Sequence, residues 1–519
     1  MKHLSGLDAA FLHIESPEMP MHIGSLNVLR LPDGYQGDFY EDVKAHMASR
    51  IHLAELFTRK LVLMPFDLSD PVWVEDDDFD LDYHVRHITL PKPGTNRQLQ
   101  QYVARLHSSL LDRSRPLWEF FVIDGLKSGE VALYTKAHHA GIDGQAGIAV
   151  AQAIFDTAPT GRVVRPPRAR IKRSSHPLGL AELAGAAVRH TAVQYAKLAR
   201  MAPGMVRAVR EAFARPQDDG PATAPPSLAS RLDLFAPRTA LNVSITNQRA
   251  FAGRTVPLAE VKQIAHALGV SVNDVVLATT GGAIDRFLRE LGEKPAKSLV
   301  AAVPVSLRDA GDATGNNQVS MVTMTLATDI RDPAARARHI HEATSATKAR
   351  MSRLKAVIPT DFPIIGSPWL ISGLAALVSR SRLMNIVPPL ANVIVSNVPG
   401  PNVPLYFAGA ELTSYYPVSI PAHGVALNVT VQSYNGRLDY GLIACRRVLP
   451  DVADLGDLIV DEHRRLLQAA RQAAEAAVAH DAHAPRITDT TASAAPAAAP
   501  ARRRAASPGR KVRTTGPAT

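Results

Sequence analysis

Two adjacent histidines, followed four residues later by an Asp-Gly pair, are the residues of this chain best suited to chemistry. His138 and His139 end an apolar, strand-like run, and Asp143 and Gly144 precede a helix-like run of small residues. Adjacent residues on an extended strand point to opposite sides, so the two imidazoles are poorly placed to bind one metal ion. No Cys or Glu stands near them at the spacing of a zinc site. We therefore predict that this stretch binds no metal.

Two interpretations of the histidine pair remain. Both imidazoles can be satisfied core groups, as a histidine in a β-rich run usually is. Alternatively the strand delivers one imidazole into a cavity, where it transfers protons near neutral pH, and the other packs behind it. In that case Asp143 holds the turn, and Gly144 allows a backbone conformation that other residues avoid.

Several motifs, in order along the chain, resemble those of the bacterial wax ester synthase/diacylglycerol acyltransferases. "HHAGIDG" matches the HHxxxDG motif of the wider superfamily of acyl-CoA-dependent acyltransferases and condensation domains. The resemblance extends over about residues 1 to 475. The other stretches that carry it are 4–24, "RPLWEF" (115–120), "VNDVVLA" (272–278), "PVSLR" (304–308), "GNNQVS" (315–320) and "SNVPGP" (396–401). A DFGWG-type motif is absent, which argues against an acetyltransferase of the antibiotic-resistance type.

The resemblance implies roles for the histidine motif. His139 is expected to be the general base that takes the proton of an alcohol, with direct attack on an acyl-CoA thioester and no acyl-enzyme. His138 then has a structural role and Asp143 orients the turn, with Arg308 as its candidate partner. The alternative for Arg308 is a surface arginine at the end of a strand. No GxSxG motif is present, and Cys445 is expected in the core.

Four more residues are candidates for supporting the site. Asn273 is expected to shape the site or hold the reacting oxygen, although Asn273 and Asp274 also suit the capping of a helix that begins there. Asn397 lies in a loop of small residues that admits CoA or the acyl chain, or that simply turns. Trp118 belongs to the Pro-Leu-Trp motif, and we predict that it serves packing more than chemistry.

The pattern of strands and helices predicts an α/β fold with mixed sheets. The resemblance implies two chloramphenicol-acetyltransferase-like lobes joined by a helical crossover, with the active site in a tunnel between them. We predict an N-terminal lobe over residues 1–158, a basic helical linker over 159–240, a C-terminal lobe over 241–478 and a disordered tail over 479–519.

The charge of the chain argues against a nucleic-acid partner. The net charge is +10, but residues 162–215 carry twelve Lys/Arg against two Glu, and residues 481–519 carry seven against two Asp. The remainder is therefore acidic, at −5. The resemblance implies acyl-CoA, as substrate, and diacylglycerol or a long-chain alcohol as partners, with no separate cofactor. The alternative is a condensation-type enzyme that takes its acyl group from a carrier protein.

The location of the protein follows from these expectations. The early acidic residues lead us to expect no secretory leader of the usual kind, and a single cysteine excludes an internal disulfide. We expect a cytoplasmic protein associated peripherally with the inner membrane or lipid inclusions. Residues 178–215 suit such contact, since Arg and Lys alternate with apolar residues, but a solvated connector between lobes fits equally.

Overall fold

Residues 1–475 form one compact unit in the computed structural model, and residues 476–519 are a second unit. The structure describes residues 2–4, 6–64, 70–142, 144–166, 185, 235–306, 319–354 and 383–483. Most of the basic segment 178–215 and most of the predicted tail lie outside this range. The predicted boundaries at 158, 240 and 478 therefore stay a prediction.

Fifteen strands lie in the described part of the chain. They are β1 (Lys2–His3), β2 (His22–Arg30), β3 (Arg59–Val62), β4 (Val72–Glu75), β5 (Val85–Thr89), β6 (Trp118–Asp124), β7 (Val131–His138), β8 (Arg249–Pro257), β9 (Val300–Ser306), β10 (Val319–Thr325), β11 (Val393–Val398), β12 (Tyr406–Phe407), β13 (Ala410–Val418), β14 (Leu427–Tyr434) and β15 (Arg437–Cys445). The Asn435-Gly436 pair is typical of a tight hairpin turn, and β14 and β15 indeed pair antiparallel through these two residues, both of which have positive φ.

Ten described α-helices accompany these strands. They are α1 (Gly6–Ile14), α2 (Phe39–Ala48), α3 (Glu55–Thr58), α4 (Leu81–His84), α5 (Asn96–His107), α6 (Gly144–Ile154), α7 (Leu258–Leu268), α8 (Val272–Glu290), α9 (Pro333–Leu354) and α10 (Val452–His483). No single described helix is long and apolar enough to cross a membrane. The pair α7 and α8 meets that test of length and composition jointly, with a bend of 100° between the two helices.

Two six-stranded mixed sheets form the two lobes, which confirms the predicted α/β class. The first has the order β12-β13-β2-β7-β6-β5, and the second has the order β10-β9-β11-β14-β15-β8. A short third sheet has the order β1-β4-β3. In the first sheet β7 lies between β2 and β6, so the histidine pair at its end is flanked by a strand on each side.

The second half of the chain contributes two strands to the first sheet, which the division by sequence did not anticipate. β12 and β13 come from the second half of the chain but extend the first sheet, where β13 pairs with β2. β13 also passes close to β15 of the second sheet: a Cβ at Gly441 would lie 1.7 Å from the carbonyl oxygen of Pro417. Only glycine permits that approach, so the absence of a side chain at Gly441 is what lets the two sheets come into contact at this point.

Candidate active site

The histidine pair lies where β7 ends and a single 3-10 turn begins. β7 ends at His138, and the turn covers His139–Gly141. Neighbouring segments hold both backbone amides: His138 N donates to Leu117 O at 2.9 Å, and His139 N donates to Met21 O at 2.8 Å. The turn is therefore fixed from the β6 side and the β2 side at once.

His138 is fully buried and bound at both ring nitrogens. Nδ1 lies 3.0 Å from the amide of Ala140, which donates to it, so the ring proton is on Nε2. Nε2 donates to the carboxylate of Glu15 at 3.2 Å. This side chain closes the turn and has no lone pair left, which leaves it a structural role.

Glu15 connects His138 to the rest of the lobe. Its carboxylate also accepts a hydrogen bond from the amide of Met21 at 2.9 Å and pairs with Arg113 at 2.8 Å. Burial alone would raise the pKa of Glu15, but the hydrogen bond from His138, together with the Met21 amide and the charge of Arg113, lowers it to about 2. Glu15 is therefore ionised, and it anchors both His138 and the segment that binds the His139 amide.

His139 has a different environment from its neighbour. Its ring stacks on Phe11 of α1, with ring centroids 4.0 Å apart and an angle of 19° between the planes. Burial lowers the pKa of His139 to about 4, although its own carbonyl opposes this. Among the described residues Nδ1 has no hydrogen-bond partner of good geometry. The imidazole is thus neutral at pH 7 and can accept a proton.

The rest of the motif is described only in part. A Cβ at Gly141 would lie 2.7 Å from Leu56 Cδ1, so the small residue lets the turn pack closely against α3. Gly144 begins α6, as predicted for the helix after the motif. Asp143 and Arg308 lie outside the described residues, and their predicted pairing stays a prediction.

The carboxylate of Asp274 is bound by residues at the start of α8 and on α9. Ser271 is the N-cap of α8, and the two side chains form a capping box. The same carboxylate also accepts hydrogen bonds from His341 at 2.7 Å and Thr344 at 2.8 Å, both on α9. Asp274 therefore caps one helix and ties it to a second, whereas its neighbour Asn273 is half-buried beside it.

Trp118 and Asn397 occupy sheet positions. Trp118 is fully buried, donates from Nε1 to Phe57 O at 3.2 Å and stacks on His84, which agrees with the predicted packing role. Asn397 is half-buried on β11, beside Val431 of β14, so it belongs to a strand and not to a loop. Among the described contacts, no hydrogen bond, ion pair or ring contact joins these side chains, Asn273 or Asp274 to His139.

The structure adds two residues that the motif did not reveal. Phe11 and Glu15 contact the two histidines from 123 to 128 positions earlier in the chain. Both lie in the 4–24 stretch that carries the family resemblance, which is the one signal for them in the sequence. Their roles depend on α1 being placed against the His139–Gly141 turn.

Family models and curated relatives match most of this chain. The model of the "Wax ester synthase/diacylglycerol acyltransferase catalytic domain" matches residues 4–276, and that of the "WS/DGAT C-terminal domain" matches residues 315–466. A probable diacylglycerol O-acyltransferase of Mycobacterium tuberculosis is 36% identical over 86% of this chain and 95% of its own length. The O-acyltransferase WSD of Acinetobacter baylyi is 33% identical over 88% and 94%.

Solved structures give the same result for the fold. The wax ester synthase/diacylglycerol acyltransferase from Marinobacter aquaeolei VT8 is 30% identical and aligns over 91% of this chain and 100% of its own, with a TM-score of 0.65. The starter condensation domain of rhizomide synthetase aligns over 91% and 95% with a TM-score of 0.51, but at 14% identity it shows only a shared fold. The family predicted from the motifs is thus confirmed: this chain belongs to the wax ester synthase/diacylglycerol acyltransferase family.

Proposed function

We propose that the protein is an O-acyltransferase that moves a long-chain acyl group from acyl-CoA to the hydroxyl of diacylglycerol or of a long-chain alcohol. The family supports the reaction class. The observation that carries the mechanism is His139 itself, a neutral, half-buried imidazole at the end of β7 whose backbone is held and whose ring is stacked on Phe11.

The reaction needs only one proton acceptor at this site. His139 takes the proton from the alcohol, and the alcohol oxygen attacks the thioester carbonyl. The C–S bond then breaks, and the imidazolium returns the proton to the departing CoA thiolate. Because the base is restored in the same cycle, no acyl-enzyme and no separate cofactor are required.

The lowered pKa keeps the imidazole of His139 unprotonated before the alcohol arrives, although it also makes the ring a weaker base. An imidazole with a pKa of about 4 is almost entirely unprotonated at pH 7, so the enzyme does not lose its base to protonation. The ring still receives a proton once the alcohol begins to attack, because the developing charge on the oxygen drives the transfer. His138 cannot replace it, since both of its nitrogens are already bound.

The first experiment compares thiol release from palmitoyl-CoA by the wild type, His139→Ala and His87→Ala, with diolein or hexadecanol as acceptor. His87 is the matched control, a half-exposed histidine paired with Asp124 at the surface. We expect acceptor-dependent release from the wild type and His87→Ala, and a loss of about a hundredfold or more in His139→Ala. Equal activity in all three proteins would exclude His139 as the base.

The same experiment tests the alternative donor. A condensation-type enzyme would be inactive with free CoA esters and active with an acyl group on a phosphopantetheinyl carrier protein. The likeness to condensation domains concerns the fold alone and does not favour that donor.

We propose that the enzyme works at a lipid surface, peripherally associated with a membrane or lipid inclusion, because of the nature of its substrates. Diacylglycerol, long-chain alcohols and their esters partition into lipid, because each buried CH₂ contributes about 0.8 kcal/mol. The chain must therefore meet its acceptor at the boundary between lipid and water. No nucleic-acid partner is proposed, since the basic residues are concentrated in the linker and the tail.

A further inference from the structure

An exposed apolar loop follows a single 3-10 turn at Leu383–Asn385 and precedes β11. Ile386 is 77% exposed, Leu390 is 64% exposed and Val387 is 39% exposed. Three large apolar side chains within five consecutive positions leave considerable hydrocarbon area in water, and such a concentration marks an interaction surface.

The loop is held in place by its neighbours. The exposed Arg238 donates from its guanidinium to the carbonyls of Met384, at 3.3 Å, and Val387. Ser244 N donates to the side chain of Asn385 at 2.8 Å, and Ala236 N donates to Pro389 O at 2.8 Å. These bonds fix the loop backbone while the apolar side chains remain exposed.

This bonding pattern suits contact with lipid. A backbone carbonyl that leaves water without a partner costs several kcal/mol in a hydrocarbon environment. In this loop the carbonyls of Met384, Val387 and Pro389 are already bound within the protein. Entry into the boundary region of a lipid surface therefore leaves these three polar groups satisfied.

Two arginines surround the base of the loop. Arg238 is exposed, and the exposed Arg447 donates to Ser244 O at 2.6 Å, next to the amide that binds Asn385. An apolar tip with cations at its base matches a surface that has hydrocarbon inside and anionic headgroups outside. A protein partner would not require an apolar tip with cations at its base.

The loop is also connected to the candidate active site. Met384 packs against Gly424, and the adjacent His423 accepts a hydrogen bond from Ile245 N at 3.2 Å. Ile245 shares an apolar cluster with Met19, two residues before the Met21 carbonyl that binds His139 N. A lipid surface bound by the loop would thus be linked to the site through this series of contacts.

We propose that the apolar residues Ile386, Val387 and Leu390, with Arg238 and Arg447 at their base, form the docking loop by which this protein binds an anionic lipid surface. The inference rests on the proposed function in one respect: the docking loop serves to deliver the lipid acceptor. The binding itself is a separate property and is measured without substrate.

The test is flotation of the full chain with vesicles of phosphatidylcholine and phosphatidylglycerol. We expect I386S/L390S to bind at least roughly tenfold more weakly than the wild type, because burial of one such side chain is worth more than a factor of ten. The control L291S/V403S removes two apolar side chains that are exposed elsewhere and should bind as the wild type does. R238Q should also bind more weakly, and vesicles of phosphatidylcholine alone should bind the wild type less well.

Three results would overturn the proposal. The first is equal flotation of I386S/L390S and the wild type. The second is a loss of flotation in L291S/V403S as large as that in I386S/L390S. The third is a mass in solution that differs between I386S/L390S and the wild type while their flotation is the same. The last would identify the loop as a contact between copies of the chain.

Activity distinguishes this proposal from the proposed function. With butyryl-CoA and hexanol, which need no lipid surface, I386S/L390S should match the wild type, whereas with diolein in vesicles it should lose activity in proportion to its binding. A wild type that floats but transfers no acyl group would refute the proposed function and leave the docking loop intact.

Discussion

His138 and His139 are neighbours in the chain but differ in every contact that matters for chemistry. His138 is bound by Ala140 and Glu15, whereas His139 has a neutral ring stacked on Phe11. The difference arises because β7 ends between them: a strand residue faces the packed side, and the first residue of the turn does not. The same reasoning gives Glu15 a positioning role, since its carboxylate holds His138 and the Met21 segment together.

Glu15→Gln tests that role. The substitution preserves shape but removes the charge that pairs with Arg113, and we expect a loss of about 3 kcal/mol in the free energy of unfolding. We also expect kcat to fall roughly tenfold with little change in KM, because the turn that carries His139 is displaced while substrate binding is not altered. Chemical denaturation and steady-state kinetics measure the two effects.

Glu411→Gln is the control for this variant, since Glu411 forms an ion pair with Arg30 at the surface. It should match the wild type in both assays. Glu15→Asp should recover part of the activity if charge at this position matters. A Glu15→Gln variant with unchanged kcat would show that the carboxylate only stabilises the fold.

The helices α8 and α9 illustrate how one motif residue can serve an element instead of a reaction. Asp274 was a candidate for substrate support because it follows Asn273 in a family motif. Its carboxylate instead accepts hydrogen bonds from Ser271, His341 and Thr344. Burial opposes its ionisation, but these hydrogen bonds hold the pKa of Asp274 below its ordinary value.

Asp274→Ala should therefore act on stability. It removes a capping box and two hydrogen bonds to α9, and we expect a loss of about 2 kcal/mol or more with kcat of the folded fraction unchanged. Asn273→Ala is the matched comparison, and the predicted role in the site requires it to lower kcat with little effect on stability. Thermal unfolding and thiol release separate the effect on stability from the effect on catalysis. A lower kcat for fully folded Asp274→Ala would show that Asp274 takes part in the site.

The joint between the two sheets contains a buried carboxyl group. Asp439 on β15 accepts hydrogen bonds from Thr255 on β8 at 2.6 Å and from the amide of Tyr415 on β13 at 2.8 Å. Burial raises the pKa of Asp439 from 3.8 to about 6, although these two bonds oppose the shift. Its protonated form therefore stabilises the fold below pH 3.8, and that contribution is lost as the pH rises through 6.

Asp439→Asn tests this pH dependence. An amide does not titrate, so the stability of the wild type relative to the variant should decrease by about 2 kcal/mol between pH 4 and pH 7. Thermal unfolding of both proteins across this range gives the difference, in which the other titrating groups cancel. Asp451→Asn is the control, because Asp451 forms an exposed ion pair with Arg97. The difference in stability between this variant and the wild type should not change with pH. If the difference in stability between the wild type and Asp439→Asn stays constant across this pH range, the pKa of Asp439 is not elevated.

Local patterns were enough to predict much of this protein. Alternating apolar residues and turn pairs such as Asn435-Gly436 predict strands and hairpins, because those preferences act within a few residues. The order of the motifs identified the family and placed His139 in it. The addition of β12 and β13 to the first sheet could not be predicted in this way, since an edge strand pairs according to which sheet lies beside it in space. Phe11 and Glu15 are distant from the histidines in sequence, and only the packing of α1 on the turn brings them into contact. The separate environments of His138 and His139 are likewise a product of tertiary structure, because burial and hydrogen-bond partners, not residue type, decide which imidazole is free to accept a proton.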